Sequence, residues 1–173
     1  MLFLAGMLAA CSATEPAGSG APFDGSGIRF VAPPGWDVRR SSELRFGPIS
    51  RVAYIANQPL HDDCTSHDPQ TCPGPIGQLR DDGVLLSWAT TNCAGPQCVP
   101  PDGALTTVGG RMATIVDLPV TVCGAIGSTK AMAYQVAVSP QRLDTIVVCA
   151  RSPSGASRLA LATFLGAVDW RTP

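Results

Sequence analysis

Charge is scarce in this chain. Charged residues make up 14% of its 173 residues, Lys130 is the only lysine, and the formal net charge is −1. A nucleic-acid-binding surface needs a basic stripe that neutralises phosphates, and a peripheral membrane helix needs a basic amphipathic face. Neither pattern occurs, so we expect no nucleic-acid partner.

Catalytic motifs are also missing. The sequence has no Gly-x-Ser-x-Gly nucleophile elbow and no phosphate-binding Gly-Lys-Ser/Thr loop. The one segment with mixed ligands runs over residues 61–68 and carries His61, Asp63 and His67. Imidazole and carboxylate groups suit a divalent metal or a general base, although a solvated polar loop is the commoner reading. We therefore predict a protein that is not an enzyme and binds no cofactor, with this loop as a weak metal-binding or hydrolytic alternative.

The N-terminus carries an export pattern. Residues 2–9 are apolar or small, a run too short for the about 20 residues that span a bilayer but suited to a signal peptide. The run ends in Leu8-Ala9-Ala10-Cys11, which resembles the lipobox of bacterial lipoproteins. The resemblance implies a signal peptide over residues 1–10, a lipid on Cys11 and attachment to the outer side of the cell membrane. No Lys or Arg precedes Cys11, so we expect the natural start to lie upstream.

The composition after Cys11 predicts the domain organisation. Residues 12–26 are rich in Ser, Ala, Gly and Pro, so we predict a lipidated flexible tether over 11–26 and a single domain over 27–173.

Cysteine is the other marked feature. The chain has seven cysteines, and lipidation of Cys11 leaves an even six. Exported proteins meet an oxidising environment, and the spacings do not form two matched zinc knuckles. Local spacing favours the pairs Cys64–Cys72, Cys93–Cys98 and Cys123–Cys149.

The hydrophobic pattern is that of short strands followed by one helix. Strands are predicted over residues 28–32, 36–39, 44–46, 51–56, 84–89, 112–122, 132–138 and 143–150, with a hairpin turn at Gly109-Gly110. Leu161, Phe164, Leu165 and Val168 form a helical stripe, which Ser154 or Ser157 would cap. These elements predict an α+β domain, a mostly antiparallel sheet with a C-terminal helix packed on one face.

Two resemblances agree with this fold. The opening Phe30-x-x-Pro33-x-Gly35-Trp36 and the terminal helix resemble the PsbP/Mog1-type sandwich. The elements Asn57-x-Pro59-Leu60, Gly83-Val84-Leu85, Trp88 and Cys149-x-Arg151-x-Pro153 resemble a family of uncharacterised exported actinobacterial proteins. That family implies location and fold, and no defined activity.

Several side chains have both a structural and a functional interpretation. Asp81-Asp82 could form an acid–base pair or an acidic turn. Arg111 and Arg151 could bind an anion or pair with Asp117 or Asp144. Three tryptophans could line a groove or fill the core: Trp36, Trp88 and Trp170.

The leading functional hypothesis is a lipid-anchored accessory protein that binds a protein partner in the cell envelope. The alternative is a carrier of a small apolar ligand, with its pocket between sheet and helix.

Overall fold

The computed structural model describes residues 20–41, 51–61, 75–93 and 97–171. The described chain forms β1 (Pro22–Gly25), β2 (Ile28–Val31), β3 (Asp37–Arg40), β4 (Arg51–Ala56), β5 (Val84–Asn92), β6 (Ala104–Val108), β7 (Arg111–Leu118), β8 (Lys130–Ser139), β9 (Arg142–Ala150), α1 (Gly155–Gly166) and β10 (Asp169–Trp170). The α+β class predicted from the sequence is confirmed. The strand predicted over residues 44–46 lies outside the described residues.

The strands form two antiparallel sheets. The larger sheet has seven strands in the order β3-β4-β5-β9-β8-β7-β6, and the smaller has three in the order β1-β2-β10. Strand β5 contains the most apolar internal run of the sequence, and it is an inner strand, since it pairs with β4 on one side and β9 on the other.

The hairpin between β6 and β7 turns at the predicted glycines. Gly109 and Gly110 have φ values of 54° and 74°, in the left-handed region that glycine adopts without steric cost. A side chain at Gly109 would also overlap the carbonyl of Val168, whereas the space around Gly110 is open. Gly109 is therefore required both by the turn and by the close approach of the segment after α1.

Two sequence predictions need correction. Strand β1 falls inside the predicted tether of residues 11–26, yet it pairs with β2, and Phe23 is buried and stacks on Phe30 with ring centroids 4.7 Å apart. Residues 22–25 are thus part of the folded domain. The strand predicted over residues 112–122 ends at Leu118, because Pro119 offers no N–H to a ladder and a 3-10 turn follows at Val120–Val122.

The main core lies between one face of the larger sheet and a layer made by the smaller sheet and α1. Phe30 is at its centre, with ring centroids 5.1 Å from Phe164 and 6.0 Å from Trp88. The predicted cap is confirmed at Ser154, whose hydroxyl accepts a hydrogen bond from the Ser157 N–H at 3.1 Å. The cap thus fixes the start of α1, the helix that contributes Phe164 and Leu165 to this core.

A second, smaller core lies on the opposite face of the larger sheet. Tyr54, Leu85 and Cys149 point to this face, and the loop residues Ile76 and Leu79 cover it. Strands β4 and β5 are consequently buried on both faces over much of their length.

Candidate functional site

Two of the predicted disulfides are present in the described residues. Cys93–Cys98 and Cys123–Cys149 have Cα atoms 5.5 Å and 5.8 Å apart. The first fixes a loop onto the β8–β9 turn, where the N–H groups of Cys93 and Cys98 donate to the carbonyls of Gln141 and Pro140. Cys11 and the pair Cys64–Cys72 lie outside the described residues.

The predicted metal or hydrolytic loop is only partly described. His61 is exposed, and its backbone N–H donates to the Pro75 carbonyl at 2.8 Å. Asp63 and His67 lie outside the described residues. Within the described part of the chain, no group of three or more His, Cys, Asp or Glu residues could hold a metal ion.

The three tryptophans belong to the core. Trp36, Trp88 and Trp170 are buried, and the last two have ring centroids 5.5 Å apart. The Trp170 indole N–H donates to the Val108 carbonyl at 2.8 Å, so this ring joins the last strand to the β6–β7 hairpin. Their packing interpretation is confirmed.

Asp144 is a fully buried carboxylate on the core face of β9. It accepts hydrogen bonds from the Trp88 indole at 2.9 Å, from the Thr90 hydroxyl at 3.1 Å and from the Arg142 guanidinium at 2.7 and 2.8 Å. The two bonds from Arg142 are charge-assisted, and those from Trp88 and Thr90 come from neutral donors. Together they reach both oxygens of the Asp144 side chain. The Asp144 side chain is therefore buried with both oxygens hydrogen-bonded, which indicates a structural role.

The arginine pairings predicted from the sequence are wrong. Asp144 binds Arg142, two residues along the same strand face, rather than Arg111 or Arg151. Arg151 instead pairs with Asp81 at 3.1 Å. Arg111 donates to the Val138 carbonyl at 2.8 Å, and its guanidinium carbon lies 5.9 Å from the centroid of the Trp170 ring. Opposite charges at positions i and i+2 of one strand were the overlooked signal, because such side chains share a face.

Asp81 and Asp82 do not form an acid–base pair. The Asp82 carboxylate accepts hydrogen bonds from the Ser154 N–H at 2.5 Å and from the Ser154 hydroxyl at 3.1 Å. The backbone hydrogen bond from Ser154 is the main reason that the pKa of Asp82 is lowered. Asp82 thus fixes the residue that caps α1, while Asp81 binds Arg151.

An open groove lies on the outer face of the larger sheet near β6. This sheet groove has a volume of about 520 Å³, and the Pro100–Gly103 segment borders it. Leu105 and Met112 line it with 72% and 70% of their surface exposed, on adjacent antiparallel strands. Thr114 also lines the groove, and its buried hydroxyl has no hydrogen-bond partner within the described structure.

A second open site lies between α1 and the segment that follows β2. This helix cleft has a volume of about 470 Å³ and is lined by residues 31–34 on one side and by one face of the helix on the other. Its two exposed rims are Val31 and Leu159, which are 56% and 68% exposed.

No family model matches the chain, and no curated protein matches it significantly. Among the residues that the structure describes, no helix has the length and apolarity to cross a membrane.

Proposed function

We propose that this chain is a lipid-anchored accessory protein of the cell envelope that binds a partner protein through the sheet groove and catalyses no reaction. The observation that carries the proposal is the pair Leu105 and Met112. Both are large apolar side chains, mostly exposed, and they lie on the same face of neighbouring strands, where Leu105 is opposite Thr114 and Met112 is opposite Thr107. Contiguous exposed apolar surface rimmed by polar groups is typical of a contact site.

The groove is built to bind with little reorganisation. Its floor consists of hydrogen-bonded strands, and Pro100 and Pro101 in its border have restricted backbones. Such a preformed site loses little conformational entropy on binding. Asp102 and Arg111 both line the groove, and the Arg111 guanidinium already donates to the Val138 carbonyl, so we expect the partner to present mainly an apolar segment.

The location in the envelope is supported by chemistry rather than by homology. Two disulfides brace the described domain, and disulfides persist in oxidising compartments outside the cytoplasm. The sequence Leu8-Ala9-Ala10-Cys11 adds the lipobox-like pattern that would attach the chain through Cys11.

Crosslinking in intact cells tests this function. The wild-type chain and the double variant Leu105→Ser, Met112→Ser are crosslinked, isolated from membranes and compared by mass spectrometry. The matched control is Val120→Ser, Val122→Ser, which removes two exposed apolar side chains outside the groove. A discrete partner that is recovered with wild type and control but lost with the groove variant supports the proposal. Equal recovery with all three proteins contradicts it.

A carrier of a small apolar ligand is the second candidate function. The helix cleft supports it, because its volume falls in the range of roughly 300–1,000 Å³ found for ligand pockets and its walls are almost entirely apolar. Organic extraction of the protein isolated from cells, followed by mass spectrometry, tests this role. A carrier releases a defined small molecule, and a Thr163→Trp variant, whose new ring fills the cleft, releases none.

A further inference from the structure

We propose that the helix cleft is a binding site for an unbranched acyl chain, and that its occupant is one of the acyl chains carried on Cys11, while the remaining acyl chain anchors the protein in the membrane. This inference rests on the proposed lipid anchor. The ligand of the cleft would be a hydrocarbon chain that is covalently attached to the same molecule.

The lining of the cleft suits a hydrocarbon chain. None of its lining side chains is charged, and Thr163 supplies the one hydroxyl among them. Val31, Leu159 and Phe164 provide larger apolar surfaces, and the small side chains Ala156, Ala160 and Ala167 leave the space between them. A long narrow apolar ligand would cover the exposed rims without leaving a buried polar group unpaired.

The exposed side of α1 has the composition of a helix surface that is covered by another group. Arg158 is the only charged residue between Gly155 and Gly166. Leu159, Ala162 and Thr163 are exposed, whereas a helix that faces water normally carries charged or polar residues on that side. An occupant of the cleft would remove the largest of these, Leu159, from water.

The path of the chain identifies Cys11 as the source. The Ala21 carbonyl accepts a hydrogen bond from the Ala32 N–H at 2.9 Å, and a side chain on Gly20 would collide with the Ala32 carbonyl. Ala32 and Pro33 also form part of the cleft wall. The residues before Gly20 are therefore joined to the domain directly beside the cleft.

The distances along the chain allow the lipid to reach it. Cys11 precedes Gly20 by nine residues, which span at most about 30 Å when fully extended. The 12 residues of α1 extend over only about 18 Å. A ligand attached by such a short segment has an effective concentration of the order of millimolar, so it outcompetes free acyl chains at lower concentration.

The test uses the full chain with its disulfides formed and a free thiol at Cys11. Reaction with a long-chain alkyl maleimide adds the thiol across the carbon–carbon double bond and places a hydrocarbon on Cys11 through a thioether, with no leaving group. N-ethylmaleimide gives the short-chain control, and Cys11→Ser verifies that the label is on Cys11. Binding of a dansyl-labelled fatty acid is then followed by fluorescence in detergent-free buffer.

We expect the ethyl-labelled protein to bind the fluorescent fatty acid and the long-chain form to bind it at least about tenfold more weakly, because its own chain fills the cleft. Thr163→Trp should weaken binding to the ethyl-labelled protein by a similar factor. Ala162→Trp is the matched control, since it adds the same ring at an exposed helix position outside the cleft. Thermal unfolding of both variants verifies that they are folded.

The binding measurements decide separately whether the cleft is the site and whether the protein's own lipid occupies it. Equal binding by the short-chain and long-chain forms overturns occupancy by the protein's own lipid and leaves a carrier of free acyl chains. Absence of binding to the ethyl-labelled protein, or equal loss in Thr163→Trp and Ala162→Trp, overturns the cleft as the site. Mass spectrometry of Cys11 from cells tests the anchor separately, and the crosslinking experiment at Leu105 and Met112 tests the partner. Failure of this inference is therefore distinguishable from failure of the proposed function.

Discussion

At the scale of single residues, Asp144 is the most consequential side chain in the core. It is fully buried and paired with Arg142 and the Trp88 indole. Replacement by Ala leaves the guanidinium and the indole N–H without their acceptor, so Asp144→Ala should lower the free energy of unfolding by about 3–5 kcal/mol. Urea denaturation measures the change, with Asp169→Ala as control. That carboxylate is 61% exposed and pairs with Arg171, so its loss should cost less than about 1 kcal/mol. Similar losses in the two variants would contradict the role assigned to Asp144.

A second prediction at this scale concerns pH. The pKa of Asp82 is lowered in the folded protein, chiefly by the hydrogen bond from the Ser154 backbone. Its contribution to stability is therefore present above the unfolded-state pKa of about 3.9 and is lost as pH falls through the lower folded-state pKa. We expect Asp82→Asn to be less stable than wild type at pH 7, and the difference to shrink in acid. Urea titrations across this range measure it, and a difference that is constant with pH would show that the carboxylate charge is not involved.

At the scale of elements, the two disulfides should contribute unequally. Cys123 and Cys149 are 26 residues apart, whereas Cys93 and Cys98 are 5 apart. The longer loop restricts the unfolded chain more, so replacing Cys123 and Cys149 by Ala should lower the free energy of unfolding by about 3.5 kcal/mol, against about 2 kcal/mol for the shorter loop. Denaturation of the two double variants under oxidising conditions measures both values. A larger loss from the shorter loop would mean that contacts of the β8–β9 turn, rather than loop closure, dominate.

At the scale of the whole molecule, low charge should make solubility sensitive to pH. The net charge is −1 at pH 7 and the sequence pI is about 6.0, so electrostatic repulsion between copies is weakest near that pH. With Leu105, Met112 and Leu159 exposed, light scattering should show the strongest self-association near pH 6 and little at pH 8. The double variant Leu105→Ser, Met112→Ser should flatten this maximum. Scattering that does not change with pH would argue against charge as the limiting factor.

Some elements of the whole fold could be predicted from the sequence, and others could not. Strand β4 matches its predicted range because its pattern is local, and Ser154 and Gly109 were recognisable because capping and turns are decided by neighbouring residues. Strand β1 was missed because Pro22–Gly25 lies among Gly and Ser residues, and its pairing with β2 and the burial of Phe23 are tertiary features. The helix cleft could not be predicted, since its two walls, residues 31–34 and one face of α1, are distant in sequence.

The three-stranded sheet has a consequence for the order in which the protein is made. Its middle strand, β2, pairs with β1 on one edge and with Asp169–Trp170 on the other, and Trp170 also closes the core against Val108 and Trp88. A polypeptide delivered N-terminus first, by a ribosome or through a translocation channel, cannot complete this layer until those last residues emerge. The pairing of β2 with Asp169–Trp170 and the contact between Trp170 and Trp88 can therefore form only after all the residues between β2 and β10 have been made.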